Sequence, residues 1–206
     1  MALKKPRIGV FGGAFDPPHN AHVAMAQAAL AQLDLTQLCI FPTGQAWHKD
    51  RALSPAQHRL AMSHLAFDDL PDTRVDPREI LRAGPTYTLD TLRELQHEQP
   101  GAQFVLILGA DQASSLHTWH GFEEILSIAI ISVAYRALST GSDGQFDPSS
   151  LPSVPPGARF EKLQLPPMDI SATDIRARAQ RGEDLRQLVP PAVARYIEQH
   201  HLYRSA

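Results

Sequence analysis

Short apolar runs alternate with helix-like segments along this chain, and no other feature constrains its fold as strongly. The run at 103–108, Gln-Phe-Val-Leu-Ile-Leu, is apolar almost throughout and lies between Gly101 and Gly109. A strand buried on both faces has this composition, which is typical of parallel sheets covered by helices on both sides. Strands that alternate with helices are joined by helical crossovers. The sequence therefore predicts an α/β fold with a doubly wound parallel sheet of five or six strands.

Other segments complete this pattern of strands and helices. Strand-like composition occurs at 7–11, 38–42, 73–76, 128–136 and 159–165. The third of these segments carries charged residues, so we expect it near an edge of the sheet. Helical spacing predicts helices from about 19, from 55 to about 67, from about 86, at 122–126, from 172 and within 190–203. Ser54, Pro55 and Gln57 have the pattern of an N-cap, a first helical position and a capping box.

Length and composition favour one domain. With 206 residues, of which 43% are hydrophobic, the chain can bury a sizeable core, and we expect a single domain over 1–206. The segment 139–158 is rich in Ser, Pro and Gly and poor in aliphatic residues, so it can bury little apolar surface. We expect this segment to form a mobile loop within the domain.

Charge and cysteine content argue against several classes of protein. A net charge of −3 and a pI near 6.3 give no electrostatic footprint for DNA or RNA, so we expect no nucleic-acid partner. Cys39 is the only cysteine and cannot form an internal disulfide. No apolar stretch is long enough to span a bilayer, and no signal peptide is recognisable before the first strand. We expect a cytoplasmic protein without a membrane partner.

A stretch rich in glycine and histidine, Gly-Gly-Ala-Phe-Asp-Pro-Pro-His-Asn-Ala-His at 12–22, follows the first predicted strand. Gly12 and Gly13 allow a tight turn and a close approach to a ligand. His19 and His22 are three residues apart at the start of a predicted helix, so they would share one face of it. A helix N-terminus offers unsatisfied N–H groups and a positive dipole. The stretch is therefore suited to the phosphates of a nucleotide.

Three other kinds of site fit this stretch less well. A dinucleotide-binding dehydrogenase would have G-x-G-x-x-G and an acidic residue ending the second strand, and a Walker loop would have Gly-Lys-Ser/Thr; neither pattern is present. A metallohydrolase could use Asp16, His19 and His22 as ligands, but its H-E-x-x-H spacing is absent. We expect no metal held by protein ligands, and tight binding of a transition metal would revive the metallohydrolase.

A second candidate phosphate site lies at 170–176, Ile-Ser-Ala-Thr-Asp-Ile-Arg. Ser171 and Asp174 have capping-box spacing, and Gly182 would end the helix about ten residues later. An ordinary capped helix also explains this pattern. The hydroxyl groups of Ser171 and Thr173, with Arg176 one turn later, are equally suited to a phosphate at the helix N-terminus.

Together these motifs resemble those of the H-x-G-H nucleotidylyltransferases. The stretch 12–22 is similar to G-G-x-F-D-P-x-H-x-x-H, 86–92 to S-Y-T-x-x-T-L, and 170–176 to I-S-x-T-x-I-R. The resemblance covers nearly the whole chain and is strongest to the members that adenylate nicotinate mononucleotide. Ala21 stands where the family usually has Gly, and Ala14 stands where Thr is common. The resemblance implies a Rossmann-like nucleotidylyltransferase fold.

The resemblance also implies a reaction and a set of site residues. ATP and nicotinate mononucleotide would give nicotinate adenine dinucleotide (deamido-NAD) and pyrophosphate in NAD biosynthesis, with Mg²⁺ bound through the substrate phosphates. The implied catalytic residues are His19, His22, Lys49 and Arg176. The implied ATP-binding residues are Gly12, Gly13, Phe15, Asp16, His19, His22, Gly109, Asp111, Ser171, Thr173 and Arg176. The implied nicotinate mononucleotide-binding residues are Ala14, Thr43, Lys49, Tyr87, Thr88 and Trp119.

Several roles and alternatives remain within this interpretation. The resemblance implies that Thr88 holds the nicotinate carboxylate and that Trp119 stacks on the nicotinate ring. Asp111, just beyond the central strand, is placed either to contact ribose or adenine or to cap the next helix. The alternatives are a nucleotidylyltransferase for another phosphorylated acceptor, such as phosphopantetheine, and a non-catalytic nucleotide sensor. We expect a monomer or a homodimer.

Overall fold

The computed structural model of the protein describes residues 5–44, 53–136 and 146–204. Its strands are β1 (Arg7–Gly13), β2 (Gln37–Pro42), β3 (Thr73–Val75), β4 (Gln103–Gly109), β5 (Ala129–Arg136) and β6 (Phe160–Leu165). Its α-helices are α1 (Asn20–Gln32), α2 (Ala56–Phe67), α3 (Arg78–Leu81), α4 (Thr88–Glu98), α5 (Ala110–Ser114), α6 (Phe122–Ile128), α7 (Ala172–Gln180) and α8 (Pro191–Gln199). Strands and helices alternate as the sequence predicts.

The six strands form one parallel sheet in the order β3-β2-β1-β4-β5-β6, which confirms the predicted doubly wound α/β architecture. Arg7 of β1 lies opposite Gln103 of β4, and Phe104 of β4 lies opposite Ala129 of β5. The strand order reverses at β1 and β4. Open α/β sheets bind ligands outside the carboxyl ends of their strands at such a reversal.

Burial of the strands follows their composition. Phe104, Val105, Leu106, Ile107 and Leu108 of β4 are each at most 2% exposed, as expected for a central strand covered on both faces. In contrast, β3 carries an exposed Arg74 and lies at the edge of the sheet, as its charges predict. The helices also bury the expected side chains. These include Leu89, Leu92 and Leu95 of α4 and Val193 and Ile197 of α8.

The described residues pack into two compact units, each drawn from three stretches of the chain. The first unit lies within 1–12, 26–39 and 87–167 and includes β4, β5 and β6. The second unit lies within 13–25, 40–86 and 168–206 and includes α2, α7 and α8. A core of Met62, Ile175, Ala179, Leu185, Val189, Val193 and Ile197 holds the second unit together. The single domain expected from composition stays a prediction.

The structure differs from the sequence prediction in its shortest elements and in one helix cap. Neither α3 nor α5 was predicted, because an element of four or five residues has no full hydrophobic period. The predicted Ser54 cap of α2 is wrong: Pro55 occupies the N-cap position without a side-chain cap bond. Instead, the Ser54 backbone N–H donates to Asp16 Oδ2 at 3.1 Å, so a tertiary contact replaces the local one.

The predicted loop at 139–158 lies partly outside the described residues, which resume at Phe146. Phe146 and Leu151 are buried, and Tyr135 donates its hydroxyl to the Phe146 carbonyl oxygen at 2.8 Å. A short 3₁₀ turn, Pro148–Ser150, lies between these two anchors. In the part of the chain that the structure describes, every helix is too short or too polar to cross a membrane.

Candidate functional site

The predicted phosphate-binding stretch forms a loop at 13–19 in the second unit, which we call the histidine loop. It begins at the carboxyl end of β1 and leads into α1. Phe15, with φ of 46°, turns its ring into the interior, where it contacts the rings of Phe67 and His22 edge-on at 5.4 and 5.1 Å. The Phe15 side chain is 1% exposed, so its packing in the interior holds the loop in place.

His19 of the histidine loop and His22 of α1 lie against each other. The His19 and His22 rings stack with centroids 3.7 Å apart and planes 20° apart. The His19 backbone N–H donates to Nδ1 of His22 at 3.3 Å. Because Nδ1 of a neutral His22 accepts this bond, its proton belongs on Nε2. His22 can therefore donate a hydrogen bond from Nε2 to a phosphate oxygen.

The start of α1 is less open than its sequence predicts. The Asn20 N–H donates to the Leu188 carbonyl oxygen at 2.9 Å, and the His22 N–H donates to the His19 carbonyl oxygen at 2.8 Å. Together with the His19 N–H, these donors already have partners within the protein. The prediction of unsatisfied backbone N–H groups is therefore wrong for these three residues.

His19 is held neutral by its surroundings. The side chain is 6% exposed, and its Nδ1 has no hydrogen-bond partner among the described residues. Burial disfavours the charged imidazolium and lowers the pKa of His19 to about 4. Near neutral pH, His19 therefore offers a neutral ring with one N–H donor.

This burial predicts a loss of stability in acid. The unfolded chain binds a proton at His19 near pH 6.5, whereas the folded chain does so only near pH 4. The free energy of unfolding should thus fall by about 3 kcal/mol between pH 7 and pH 4 through this group alone. Urea unfolding of the wild type and of His19→Gln at pH 7, 6, 5 and 4 would measure the difference. A constant difference across that range would contradict a buried neutral His19.

Asp16 ties the histidine loop to distant parts of the second unit. Its carboxylate is 2% exposed and accepts from the Tyr203 hydroxyl at 2.7 Å and from the Ser54 N–H at 3.1 Å. Its backbone oxygen accepts from Nη1 of Arg176 at 2.9 Å. Residues 54, 176 and 203 therefore converge on one position of the loop.

Arg59 is the largest feature of the site that sequence reasoning missed. Its guanidinium, on α2 and 1% exposed, donates to four carbonyl oxygens. These belong to Ser54 at 2.9 Å, Ala14 at 3.0 Å, Thr43 at 2.6 Å and Gly44 at 3.2 Å. The signal was present in the sequence, because Arg59 lies three residues before the buried Met62 and so faces the core with it.

Gly44 is required where it stands. A Cβ at this position would lie 2.1 Å from the Glu79 carbonyl oxygen, which is backbone and cannot move aside easily. The absence of a side chain lets the chain after β2 pass close to α3. Arg59 then holds the Thr43 and Gly44 carbonyl oxygens in this position. Lys49, the next predicted site residue, lies outside the described residues.

The second predicted phosphate motif has its expected local structure. The Ser171 hydroxyl accepts from the Asp174 N–H at 3.1 Å, which confirms the predicted cap of α7, and Gly182 follows the helix with φ of 72°. Arg176 bridges two predicted site residues: Nη2 donates to the Thr173 hydroxyl at 3.1 Å, and Nη1 donates to the Asp16 carbonyl oxygen. The two phosphate motifs therefore converge, although 160 residues separate Asp16 from Arg176.

The predicted nicotinate residues belong to the first unit, apart from Ala14, Thr43 and Lys49. Thr88 begins α4, and the Tyr87 ring lies 4.5 Å from the ring of His120. Trp119 follows the 3₁₀ turn Leu116–Thr118 and is half-buried. The turn, α4 and the aromatic rings together place polar and aromatic groups of the predicted subsite within one unit.

The predicted ATP-binding residues Gly109 and Asp111 also lie in the first unit. Gly109 ends β4 and is itself the N-cap of α5. Asp111 lies in the first turn of that helix and is exposed, so it does not cap the helix. The predicted cap is therefore wrong, and the contact with ribose or adenine stays a prediction. Within the described residues, no group of three or more His, Cys, Asp or Glu side chains could hold a metal ion.

Comparisons with known proteins return relatives along the whole chain. Residues 10–178 match the model of the cytidylyltransferase-like family. A protein of Albidiferax ferrireducens named "Probable nicotinate-nucleotide adenylyltransferase" is 56% identical over 200 residues, which are 97% of this chain and 99% of that relative. A protein of the same name from Methylibium petroleiphilum is 42% identical over 208 residues, with 98% and 94% of the two chains covered.

Solved structures agree in fold. A nicotinic acid mononucleotide adenylyltransferase of Plasmodium falciparum, complexed with NaAD, has a TM-score of 0.75 at 19% identity. The match covers 96% of this chain and 97% of that one. The same protein complexed with APC has a TM-score of 0.74, again at 19% identity and with the same coverage. At this identity the likeness establishes the fold.

Proposed function

We propose that this chain, which belongs to the nicotinate-nucleotide adenylyltransferases of the cytidylyltransferase-like family, joins ATP and nicotinate mononucleotide into nicotinate adenine dinucleotide and releases pyrophosphate. The observation that carries the proposal is the bond from Arg176 to the backbone of Asp16, because it joins the two phosphate motifs into one cationic and donor-rich site. A site for a triphosphate needs donors from more than one segment, and this contact provides them.

In the proposed mechanism, a phosphate oxygen of the mononucleotide attacks the α-phosphorus of ATP in line and pyrophosphate leaves. Such a reaction needs no nucleophile from the protein, because positioning and stabilisation of charge lower the barrier. His22 donates from Nε2 and neutral His19 donates from its one N–H, both to phosphate oxygens that gain charge. Arg176, with Ser171 and Thr173 beside it, binds the leaving pyrophosphate.

The remaining residues bind the substrates in this proposal. Gly12 and Gly13 let the triphosphate approach the backbone, and Phe15 contributes through its backbone because its ring is buried. Lys49 neutralises a phosphate charge. The adenosine residues are Gly109 and Asp111, and the nicotinate residues are Ala14, Thr43, Tyr87, Thr88 and Trp119.

ATP enters the proposed reaction as its Mg²⁺ complex, so the ion arrives with the substrate. The phosphate oxygens of ATP are hard ligands of the kind that Mg²⁺ prefers. We further propose that the protein works in the cytoplasm, where the single buried Cys39 stays reduced, and that it is a monomer or a homodimer.

The test is pyrophosphate release from ATP and Mg²⁺, with nicotinate mononucleotide, nicotinamide mononucleotide and phosphopantetheine supplied separately at matched concentrations. Rapid release with the nicotinate acceptor alone would support both the reaction and the substrate. Faster release with another acceptor would keep the chemistry and overturn the acceptor. Nucleotide binding without release from any acceptor would favour a sensor, and a tightly bound transition metal would favour a metallohydrolase.

Two substitutions test the proposed nicotinate subsite. Thr88→Ala and Trp119→Ala should each raise KM for nicotinate mononucleotide by about 10-fold, because each removes one hydrogen-bonding or stacking partner worth about 1–2 kcal/mol. KM for ATP should stay within about 2-fold of the wild type. Thr118→Ala is the matched control, because the Thr118 hydroxyl donates to the Ser115 carbonyl oxygen on the same turn. A larger change in KM for ATP would reverse the division of the site.

A further inference from the structure

The C-terminal segment contacts the histidine loop although it lies beyond residues 10–178, which match the family model. After α8, the Leu202 N–H donates to the Ile197 carbonyl oxygen at 3.0 Å, and His201 adopts φ of 50°. This six-residue closure with a left-handed residue is a Schellman motif, which reverses the chain at a helix end. The reversal brings Tyr203, itself at φ of 67°, back to the core of the second unit.

Tyr203 presents a protonated hydroxyl to Asp16. Burial, with the nearby carboxylate of Asp16, raises the pKa of Tyr203 far above its usual value, so the phenol keeps its proton at working pH. The donor is 2.7 Å from Asp16 Oδ1, and the other oxygen of the carboxylate accepts from Ser54. A short bond to an ionised acceptor is stronger than a neutral one. Tyr203 thus fixes the orientation of the Asp16 side chain.

The same segment also holds the other side of His19. The Gln187 carbonyl oxygen accepts from the Asn20 side chain at 3.1 Å, and the Leu188 carbonyl oxygen accepts from the Asn20 backbone at 2.9 Å. Residues 187–203 therefore hold positions 16 and 20, three residues before His19 and one after it. A chain held on both sides has little freedom to move the imidazole between them.

We propose that Tyr203 is a positioning residue, which sets the histidine loop in its reactive geometry through Asp16. The proposal rests on the proposed function, since it assigns the loop to phosphate. Contacts that fix a reacting geometry act on turnover, and small displacements of such a group are costly. Tyr203 touches neither substrate in this scheme. Its effect passes through the two histidines.

The experiment compares Tyr203→Phe with Tyr196→Phe. Both remove one phenol hydroxyl from the second unit and keep the ring, but the Tyr196 hydroxyl bonds to His58 on α2 instead of the loop. We expect Tyr203→Phe to lower kcat about 10-fold with KM for nicotinate mononucleotide within about 2-fold. Tyr196→Phe should leave kcat unchanged. Equal kcat in the two variants would overturn the proposal.

A second readout separates positioning from stability. In a His22→Ala background, Tyr203→Phe should lower kcat by less than it does in the wild type, because one of the two histidines that it positions is gone; a fully additive loss would overturn the proposal. Asp16→Asn tests the same bond from its other end, since an amide oxygen is a weaker acceptor than a carboxylate. It should also lower kcat, and full retention would count against the inference.

A third measurement does not depend on turnover. The ¹⁵N resonances of the His19 and His22 rings report tautomer and environment, and we expect both to shift in Tyr203→Phe and to stay in place in Tyr196→Phe. Unchanged resonances in Tyr203→Phe would overturn the positioning role. Absence of pyrophosphate release from the wild type with every acceptor would instead contradict the proposed function, and the resonances would still test the loop.

Discussion

His22→Ala is expected to lower kcat by about 10²- to 10³-fold, the loss typical of removing one donor that stabilises transition-state charge. His22 presents Nε2 as a donor because Nδ1 is occupied by the His19 N–H. KM for both substrates should change by much less, since the charge that the donor meets develops only in the transition state. The measurement is steady-state pyrophosphate release, with urea unfolding of the same samples.

Two further variants show which ring nitrogen matters. The amide of Asn reaches about as far as Nδ1 of His, so His22→Asn can still accept from the His19 N–H. The amide of Gln reaches about as far as Nε2, so His22→Gln can still donate toward a phosphate. We expect Gln to retain more turnover and Asn to retain more stability.

A matched histidine control is available on α2. His58→Ala removes an imidazole from the same unit whose Nδ1 bonds to the Tyr196 hydroxyl at 3.0 Å. Its kcat should stay within about 2-fold of the wild type because it lies outside the phosphate motifs. If His22→Ala lost no more turnover than His58→Ala, or only as much as its lost stability explains, the catalytic role of His22 would be refuted.

Arg59→Met is expected to reduce the free energy of unfolding by about 3–5 kcal/mol, a large part of the stability of a domain. Methionine fills much of the buried space but leaves the carbonyl oxygens of residues 14, 43, 44 and 54 without their donor. Each unpaired buried acceptor is costly, whereas the lost apolar contact is small. Chemical unfolding at pH 7 measures the effect.

Arg59→Lys and Arg74→Met sharpen this comparison. A lysine has three donors at one point and cannot span four oxygens, so Arg59→Lys should lose nearly as much stability as Arg59→Met. Arg74 is half-exposed and pairs with Asp76 at 2.7 Å, so Arg74→Met should cost less than about 1 kcal/mol. Similar losses at the two arginines would show that the buried network contributes little.

Local composition was sufficient to predict the central elements of this fold. Residues 104–108 form a strand that is buried on both faces, and such burial requires apolar side chains. Their apolar composition alone was therefore enough to predict the strand. The Ser171 cap and Gly182 were predictable for a similar reason, because each acts within its own helix. These features depend on residues close in sequence.

The features that sequence reasoning missed depend on contacts between distant residues. Ser54 has the local pattern of a helix cap, but its backbone N–H donates to the carboxylate of the distant Asp16. Tyr203 and Asp16 are 187 residues apart, and nothing local indicates that they meet. The neutral state of His19 comes from burial, which the motif itself does not encode. The motifs at 12–22 and 170–176 were recognisable in the sequence, whereas the bond that joins them came only from the structure.

The buried guanidinium of Arg59 also orients two peptide dipoles, those of the carbonyl groups of residues 14 and 43. A trans peptide group points its N–H away from its carbonyl oxygen. Because the oxygens of residues 14 and 43 face Arg59, the N–H groups of Phe15 and Gly44 point to the opposite side. The negative ends of these two dipoles are thereby turned toward the guanidinium, and the positive ends point away from it. One buried cation therefore fixes the direction of two peptide dipoles in the fold itself, without any contribution from a ligand.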